Sequence, residues 1–159
     1  MTIVGLISDT HGKLRPAVFD VFRGVDLILH AGDVGPLDVI ASLETIAPVH
    51  AVLGNTDDWS LAARVRDVVE LELEGRRVVV LHGHQLGSPT PDLLRAAHPG
   101  ADIIIYGHTH RQHIDDRGGS LVINPGAAGP ARFNLTPSVA RLTLEAGASP
   151  AVELVPLDH

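Results

Sequence analysis

The chain contains no cysteine and a single lysine, Lys13. Without thiols it can form no disulfide, no thiolate metal site and no sulfur nucleophile. That absence fits a reducing compartment. Aromatic residues are nearly missing too, with three Phe, one Trp and one Tyr in 159 residues. The core must therefore be built from Val, Ile, Leu and Ala. No apolar run approaches the ~20 residues of a membrane span. The amino terminus lacks the basic, apolar and small-residue succession of a secretory signal. The expected location is cytoplasmic, with no membrane partner.

Positive charge is equally scarce. The formal net charge is −7, and the eleven arginines are scattered, with short pairings only at Arg64/Arg66 and Arg76/Arg77. A nucleic-acid binder ordinarily carries a basic stripe, so no broad nucleic-acid surface is expected. The sequence also lacks the Gly-rich phosphate loops, the nucleophilic-serine elbow and the H-E-x-x-H zinc motif. With 45% hydrophobic and 19% charged residues, the composition is that of a globular protein. The length predicts one domain over 1–159.

What is present begins as alternating strands and helices. Residues 2–8, 26–30 and 49–53 read as short β-branched buried strands, separated by helical patterns at 15–23 and 36–46. That opening predicts a parallel sheet with right-handed crossovers. Residues 68–83 alternate Val69, Leu71 and Leu73 with Glu70, Glu72 and Glu74, and Glu74-Gly75 reads as a hairpin turn. A helix is expected at 90–98, with Thr90 as N-cap and Pro91 in the first turn. Further strands are expected at 102–106, 120–124, 138–145 and 151–155. The chain thus starts as α/β and ends as antiparallel β.

Each buried strand stops at residues that can hold a metal. Strand 2–8 runs into Asp9-Thr10-His11 and strand 26–30 into Gly32-Asp33. Strand 49–53 runs into Gly54-Asn55, strand 77–81 into His82-Gly83-His84, and strand 102–106 into Gly107-His108-Thr109-His110. In open α/β sheets ligands bind beyond the carboxyl ends of strands, so five such termini describe one site. Taken singly, an Asp after a strand is usually a cap, and a His is usually a satisfied polar residue. His30, His50, His98, His113 and His159 stay in that ordinary class, with His30 able to back the site. Asp57, Asp58, Asp115 and Asp116 read as loop residues facing solvent.

The ordered set D-x-H, G-D, G-N, H-G-H, G-H-x-H resembles the calcineurin-like metallophosphoesterase superfamily. The segment INPGAAGPAR at 123–132 is similar to that of its small bacterial and archaeal phosphodiesterase branch. The resemblance spans essentially the whole chain. It implies an α/β (α+β) fold of two facing mixed β-sheets flanked by helices, an αββα sandwich. It also implies one divalent cation on Asp9, His11, Asp33 and His110, and a second on Asp33, Asn55, His82 and His108, bridged by Asp33. The implied activity is hydrolysis of a phosphate ester by in-line attack of a metal-bridging hydroxide. The donor types suit manganese first, with nickel, iron and zinc also compatible. Two divalent ions, two carboxylates and one hydroxide leave +1, which favours a small-molecule phosphodiester monoanion over a monoester dianion.

One position departs from the commonest pattern. Where many members read G-N-H-E or G-N-H-D, this chain has Gly54-Asn55-Thr56-Asp57. Thr56 can donate to a phosphate oxygen, but its hydroxyl is a poor acid. Asn55, Thr56 and His84 are the expected catalytic contacts, with His84 the remaining proton donor and Arg132 a phosphate contact. The competing reading is a catalytically weak phosphoesterase-like scaffold that acts as a protein-interaction module, as the small phosphoesterase-like retromer subunit does. That relative has lost ligand positions, whereas all of them are present here. Self-association into a homo-oligomer stays open.

Overall fold

Along the central strands apolar side chains alternate faces, and the alternation sorts them into three separate layers of packing. The computed structural model describes residues 1–132 and 134–157. One sheet has the order β10-β9-β1-β2-β3. It comprises β1 (Thr2–Ile7), β2 (Leu27–His30), β3 (Val49–Ala51), β9 (Ser138–Leu144) and β10 (Ala151–Pro156). The other has the order β4-β5-β6-β8-β7. Its strands are β4 (Val68–Leu73), β5 (Arg76–Leu81), β6 (Ile103–Ile105), β7 (His113–Gly118) and β8 (Ser120–Asn124). Both sheets are mixed: β1, β2 and β3 run parallel, as do β5, β6 and β8, and antiparallel partners close the rest.

Strand β1 sends Val4 and Leu6 between the sheets, where they meet Val78, Val80, Ile103, Ile105 and Ile123 from the facing sheet. Its other face, at Ile3 and Ile7, packs on α1 (Pro16–Val21) and α2 (Leu37–Glu44) through Val18, Val39 and Leu43. On the far side, Val79, Leu81, Ile104 and Val122 cover Leu94 of α4 (Pro91–Ala97). Full burial of each such aliphatic side chain is worth roughly 1.5–3 kcal/mol, so the central strands are held from both faces. The order helix, sheet, sheet, helix is the αββα sandwich that the resemblance implied. None of the described helices is long and apolar enough to cross a membrane.

Thr90 caps α4 by accepting from the Leu93 N–H, with Pro91 at the first turn. Glu74 and Gly75 both have positive φ, 50° and 76°, the geometry of a tight two-residue hairpin turn. Two elements differ from expectation. Residues 113–118 form the edge strand β7, although HIDDRG is polar and mostly exposed. Asp115 is therefore no free loop residue; it pairs with Arg95 of α4 at 2.7 Å. Asp58, expected in a loop, caps a short helix α3 (Trp59–Ala62), accepting from the N–H groups of Ser60 and Leu61. His159 lies outside the described residues.

Candidate metal centre

Parallel pairing of β1 with β2 continues past the strand ends as a loop-to-loop ladder. Asp9 N–H donates to Gly32 O, His11 N–H to Asp33 O and Gly12 N–H to Val34 O, each at 2.9 Å. The ladder locks Asp9-Thr10-His11 beside Gly32-Asp33. From the other sheet, Gly107 N–H donates to His82 O at 3.1 Å, and His108 N–H donates to Asp9 Oδ2 at 3.1 Å. The carboxyl ends of both sheets thus meet over one cluster.

The chain strains its backbone to make that meeting. Among the described residues seven non-glycines have positive φ, and five of them are Asp9 (54°), His11 (47°), Asp33 (52°), His108 (71°) and His110 (62°). A non-glycine residue held there costs about 1–3 kcal/mol and persists only where its surroundings enforce it. That cost falls together on five residues of this one cluster. Two glycines make room for it. A Cβ on Gly54 would sit 2.0 Å from Asp33 Oδ1, and one on Gly107 would sit 2.6 Å from Asp9 Oδ2.

Each aspartate has one oxygen tied to the protein and the other aimed at imidazoles. Asp9 Oδ2 accepts from Ser8 Oγ at 2.6 Å as well as from His108 N–H. Asp9 Oδ1 is buried with no hydrogen-bond partner among the described residues, and lies 3.4 Å from His110 Nε2 and 3.8 Å from both His11 and His82 Nε2. Asp33 Oδ1 accepts from Thr56 N–H at 2.9 Å. Its Oδ2 lies 3.7 Å from His11 Nε2 and 3.2 Å from His82 Nε2. Asp9 with His11 and His110, and Asp9 with Asp33 and His82, form two groups whose ligand atoms lie within 4.8 Å of one another.

His82 Nδ1 faces the Ala31 carbonyl at 2.8 Å and must donate to it. Its Nε2 then turns a lone pair toward Asp33 Oδ2 and toward Asn55 Oδ1, 3.1 Å away. Converging lone pairs repel unless a cation or a proton stands among them. Without a cation the proton is favoured: burial lowers the His82 pKa, but the bond to Asp33, the charges of Asp9 and Asp33 and the Ala31 carbonyl outweigh it and raise it. Burial likewise works to raise Asp33, yet His82 and the Thr56 N–H and hydroxyl hold its carboxyl far below the ordinary range. A mixed set of carboxylate, amide and imidazole donors around this gap fits divalent cations, and the Nδ1–H···O=C bond is the usual outer support of a metal-binding histidine.

The remaining expected residues surround the cluster. The His108 ring lies 5.2 Å from that of His82, and the His11 ring 5.4 Å from that of His110. His84 follows His82 by two residues. It begins a 3-10 turn, His84–Leu86, after Gly83 at φ 99°, not an extended strand, and its ring still lies 5.3 Å from His82. Burial and the nearby charges of His82 and His108 lower its pKa. Arg132 is exposed, and its charge adds to the burial that lowers the pKa of His11. Thr56 is exposed and donates its backbone N–H to Asp33 Oδ1.

Three further residues support the cluster, of which His30 was expected to back it. Asp57 is no solvent-facing loop residue; it accepts from Val34, Gly35 and Gly54 N–H at 3.2, 3.0 and 2.8 Å. Asn124 Nδ2 donates to Gly107 O and Thr109 Oγ1 at 3.1 and 3.0 Å, which explains the placement of the Asn-Pro-Gly segment under the G-H-T-H loop. His30 is fully buried behind the site. Thr10 donates its hydroxyl to Val34 O, so it accepts from His30 Nε2–H, leaving Nδ1 to accept from Gly32 N–H.

That network has room only for neutral His30, whose pKa burial lowers to about 4. The unfolded chain binds this proton near pH 6.5 while the folded chain refuses it. His30 therefore favours folding fully above about pH 6.5 and progressively less as pH falls to about 4, a loss of roughly 3 kcal/mol. Denaturant unfolding in chelator, compared between wild type and His30→Gln, should show this slope only in the wild type. Identical pH dependence in both proteins would remove His30 as its source.

Known proteins resemble this chain over most of its length. The description "Calcineurin-like phosphoesterase superfamily domain" matches residues 1–147. A probable metallophosphoesterase of Methanothermobacter thermautotrophicus is 38% identical over 148 residues, covering 89% of this chain and 80% of that protein. A phosphodiesterase of Methanocaldococcus jannaschii is 31% identical over 141 residues, covering 77% and 82%. Among solved structures, a novel archaeal phosphodiesterase superposes with a TM-score of 0.82 at 26% identity, over 98% of this chain and all of that one. Zinc-complexed Vps29 of Entamoeba histolytica shares the fold, with a TM-score of 0.82 at 23% identity over 98% and 99%. With the match extending from the first strand through the last of the histidine loops, this chain belongs to the calcineurin-like phosphoesterase superfamily.

Proposed function

We propose that the protein is a binuclear metal-dependent phosphodiesterase. The observation that carries this reading is the pair of buried aspartates, each with one oxygen bonded by the protein and the other left facing imidazole nitrogens. Asp9, His11, Asp33 and His110 would hold one divalent cation; Asp33, Asn55, His82 and His108 the other. Bound there, two such ions supply a nucleophile from water near neutral pH and positive charge for the phosphoryl oxygens. Manganese is the first candidate, with nickel, iron and zinc next.

The chain's own residues then hold geometry. Thr56 and Asp57 fix Asp33 and Asn55, while Ser8 and the His108 N–H fix Asp9. Arg132 stands on the His11 side as a donor for a phosphate oxygen, and His84 stands beside His82 and His108 on the other. The small-molecule diester is favoured over a monoester by its single charge.

Metal-stripped protein should not hydrolyse bis-p-nitrophenyl phosphate, and added manganese should restore turnover. Histidines that bind metal must be neutral, so acid competes with the metal. Activity at limiting manganese should fall below about pH 6, given an ordinary His pKa near 6.5, and return with excess metal. Full turnover in chelator would refute the reading. No turnover with any divalent ion, despite two bound equivalents, would favour the scaffold alternative.

A further inference from the structure

We propose that Asp57 is a positioning residue that clamps the Asp33 loop to the Asn55 loop and thereby sets the affinity of one of the two cation positions. The inference rests on the two-cation reading above. Three observations carry it. The Asp57 carboxylate accepts from Gly54 N–H at 2.8 Å, one residue before Asn55. It also accepts from Val34 and Gly35 N–H at 3.2 and 3.0 Å, directly after Asp33. Thr56 N–H, between them, donates to Asp33 Oδ1 at 2.9 Å. Two loops from different strand ends are thus joined by one side chain, at a place where neither loop can bond the other by regular strand pairing.

The chemistry requires a carboxylate. Backbone N–H groups approach from both loops, and Oδ2 alone serves Val34 and Gly54 while Oδ1 serves Gly35. An amide of the same shape places an NH₂ against one of these donors, where two donors face each other. Hydrogen bonds to a charged acceptor are the stronger kind, so the clamp is stiff as well as complete. Gly54 adds a packing reason, because its Cα already lies against Asp33 and leaves no space for a side chain.

The clamp acts unequally on the two cation positions. Asp33 and Asn55 share only the position completed by His82 and His108. The other position takes Asp33 too, together with Asp9, His11 and His110, but the Asp9–Gly32 and His11–Asp33 backbone ladder and Gly129 N–H donating to Asp9 O at 3.2 Å hold that side without the clamp. None of those bonds involves Asp57. Loss of the clamp should therefore weaken one equivalent of metal and spare the other.

The test titrates manganese alone into metal-stripped wild type, Asp57→Asn and Asn55→Ala, following free manganese by electron paramagnetic resonance. Turnover is measured across manganese concentration, and melting temperature in chelator. Losing an outer support of a metal ligand typically costs ~10–100-fold in affinity. The expected result for Asp57→Asn is one equivalent at wild-type affinity and one weakened by about that factor. Its kcat should recover at excess manganese with KM for the diester little changed, which a general folding defect would not produce. Two equivalents at wild-type affinity would overturn the clamp. Equal weakening of both equivalents with a lowered melting temperature in chelator would also overturn it, leaving only a structural role. Asn55→Ala retaining two tight equivalents would overturn the underlying site assignment, and with it this proposal.

Discussion

Asp33→Asn should bind almost no metal at either position and lose about 10³-fold or more in turnover. The size follows from the several kcal/mol that metal ions supply to such reactions, at 1.36 kcal/mol per factor of ten. The substitution is chosen for its geometry. Asn keeps an oxygen to accept from Thr56 N–H, whose bond to Asp33 Oδ1 is 2.9 Å, so the loop stays in place. Its NH₂ takes the place of Oδ2, the atom 3.2 Å from His82 Nε2 and 3.7 Å from His11 Nε2. A donor there binds no cation. Stabilisation by metal should vanish in parallel. At 100 times its Kd a ligand adds about 2.7 kcal/mol to the native state, or roughly 5–10 °C for a chain of this size. Wild type should show that rise on manganese addition and Asp33→Asn should not, each measured against its own melting temperature in chelator. Asp9→Asn is the comparison that decides which aspartate bridges, since Asp9 Oδ1 also faces histidines on both sides. One equivalent lost in Asp9→Asn and two in Asp33→Asn supports Asp33. The reverse pattern transfers the bridge to Asp9.

The parts of the fold that depend on burial were legible, because burial writes itself as pattern. The strands around 2–8, 77–81 and 102–106 are hydrophobic on both faces, and both faces are covered. The candidate site was legible for a related reason: a parallel sheet delivers every strand end to one edge, so Asp9, Asp33 and His82 converge however far apart they lie in the chain. What was hidden is held by backbone groups or by short-range geometry. HIDDRG forms β7 by pairing with β8 and bonding to Arg95, with no apolar alternation to announce it. Asp57 looks like any acidic loop residue until the three amides it gathers are seen. His30 ends a buried strand, and only the Thr10 hydroxyl and Gly32 amide reveal that both its ring nitrogens are committed. The left-handed backbone at five proposed ligands is announced by no glycine, and Asp and His, though favoured there among other residues, far more often adopt ordinary backbone.

Thr56 leads to an expectation about leaving groups. Turnover should depend steeply on how well the departing oxygen bears negative charge, and aryl diesters should far outrun alkyl ones. The Thr56 N–H is committed to Asp33 Oδ1, and its hydroxyl is too weak an acid to serve as the donor. A positioned proton donor is ordinarily worth ~10²–10⁴-fold, about 3–5 kcal/mol of barrier at 1.36 kcal/mol per tenfold. A nitrophenolate departs with little of that help, whereas an alkoxide needs most of it. Turnover numbers across diesters with leaving-group pKa values from about 7 to 14 should therefore fall along a steep Brønsted line. Thr56→His should flatten the line if its imidazole reaches the leaving oxygen. The substitution falls on the residue whose N–H serves Asp33, so metal content must be measured beside it. A slope near zero in wild type, with chemistry rate-limiting, would mean that a donor is already present. His84 is the residue placed to be that donor, 5.3 Å ring to ring from His82 and 6.4 Å from His108. In that outcome His84→Gln should restore the steep slope, slowing alkyl diesters and leaving nitrophenyl esters nearly unchanged.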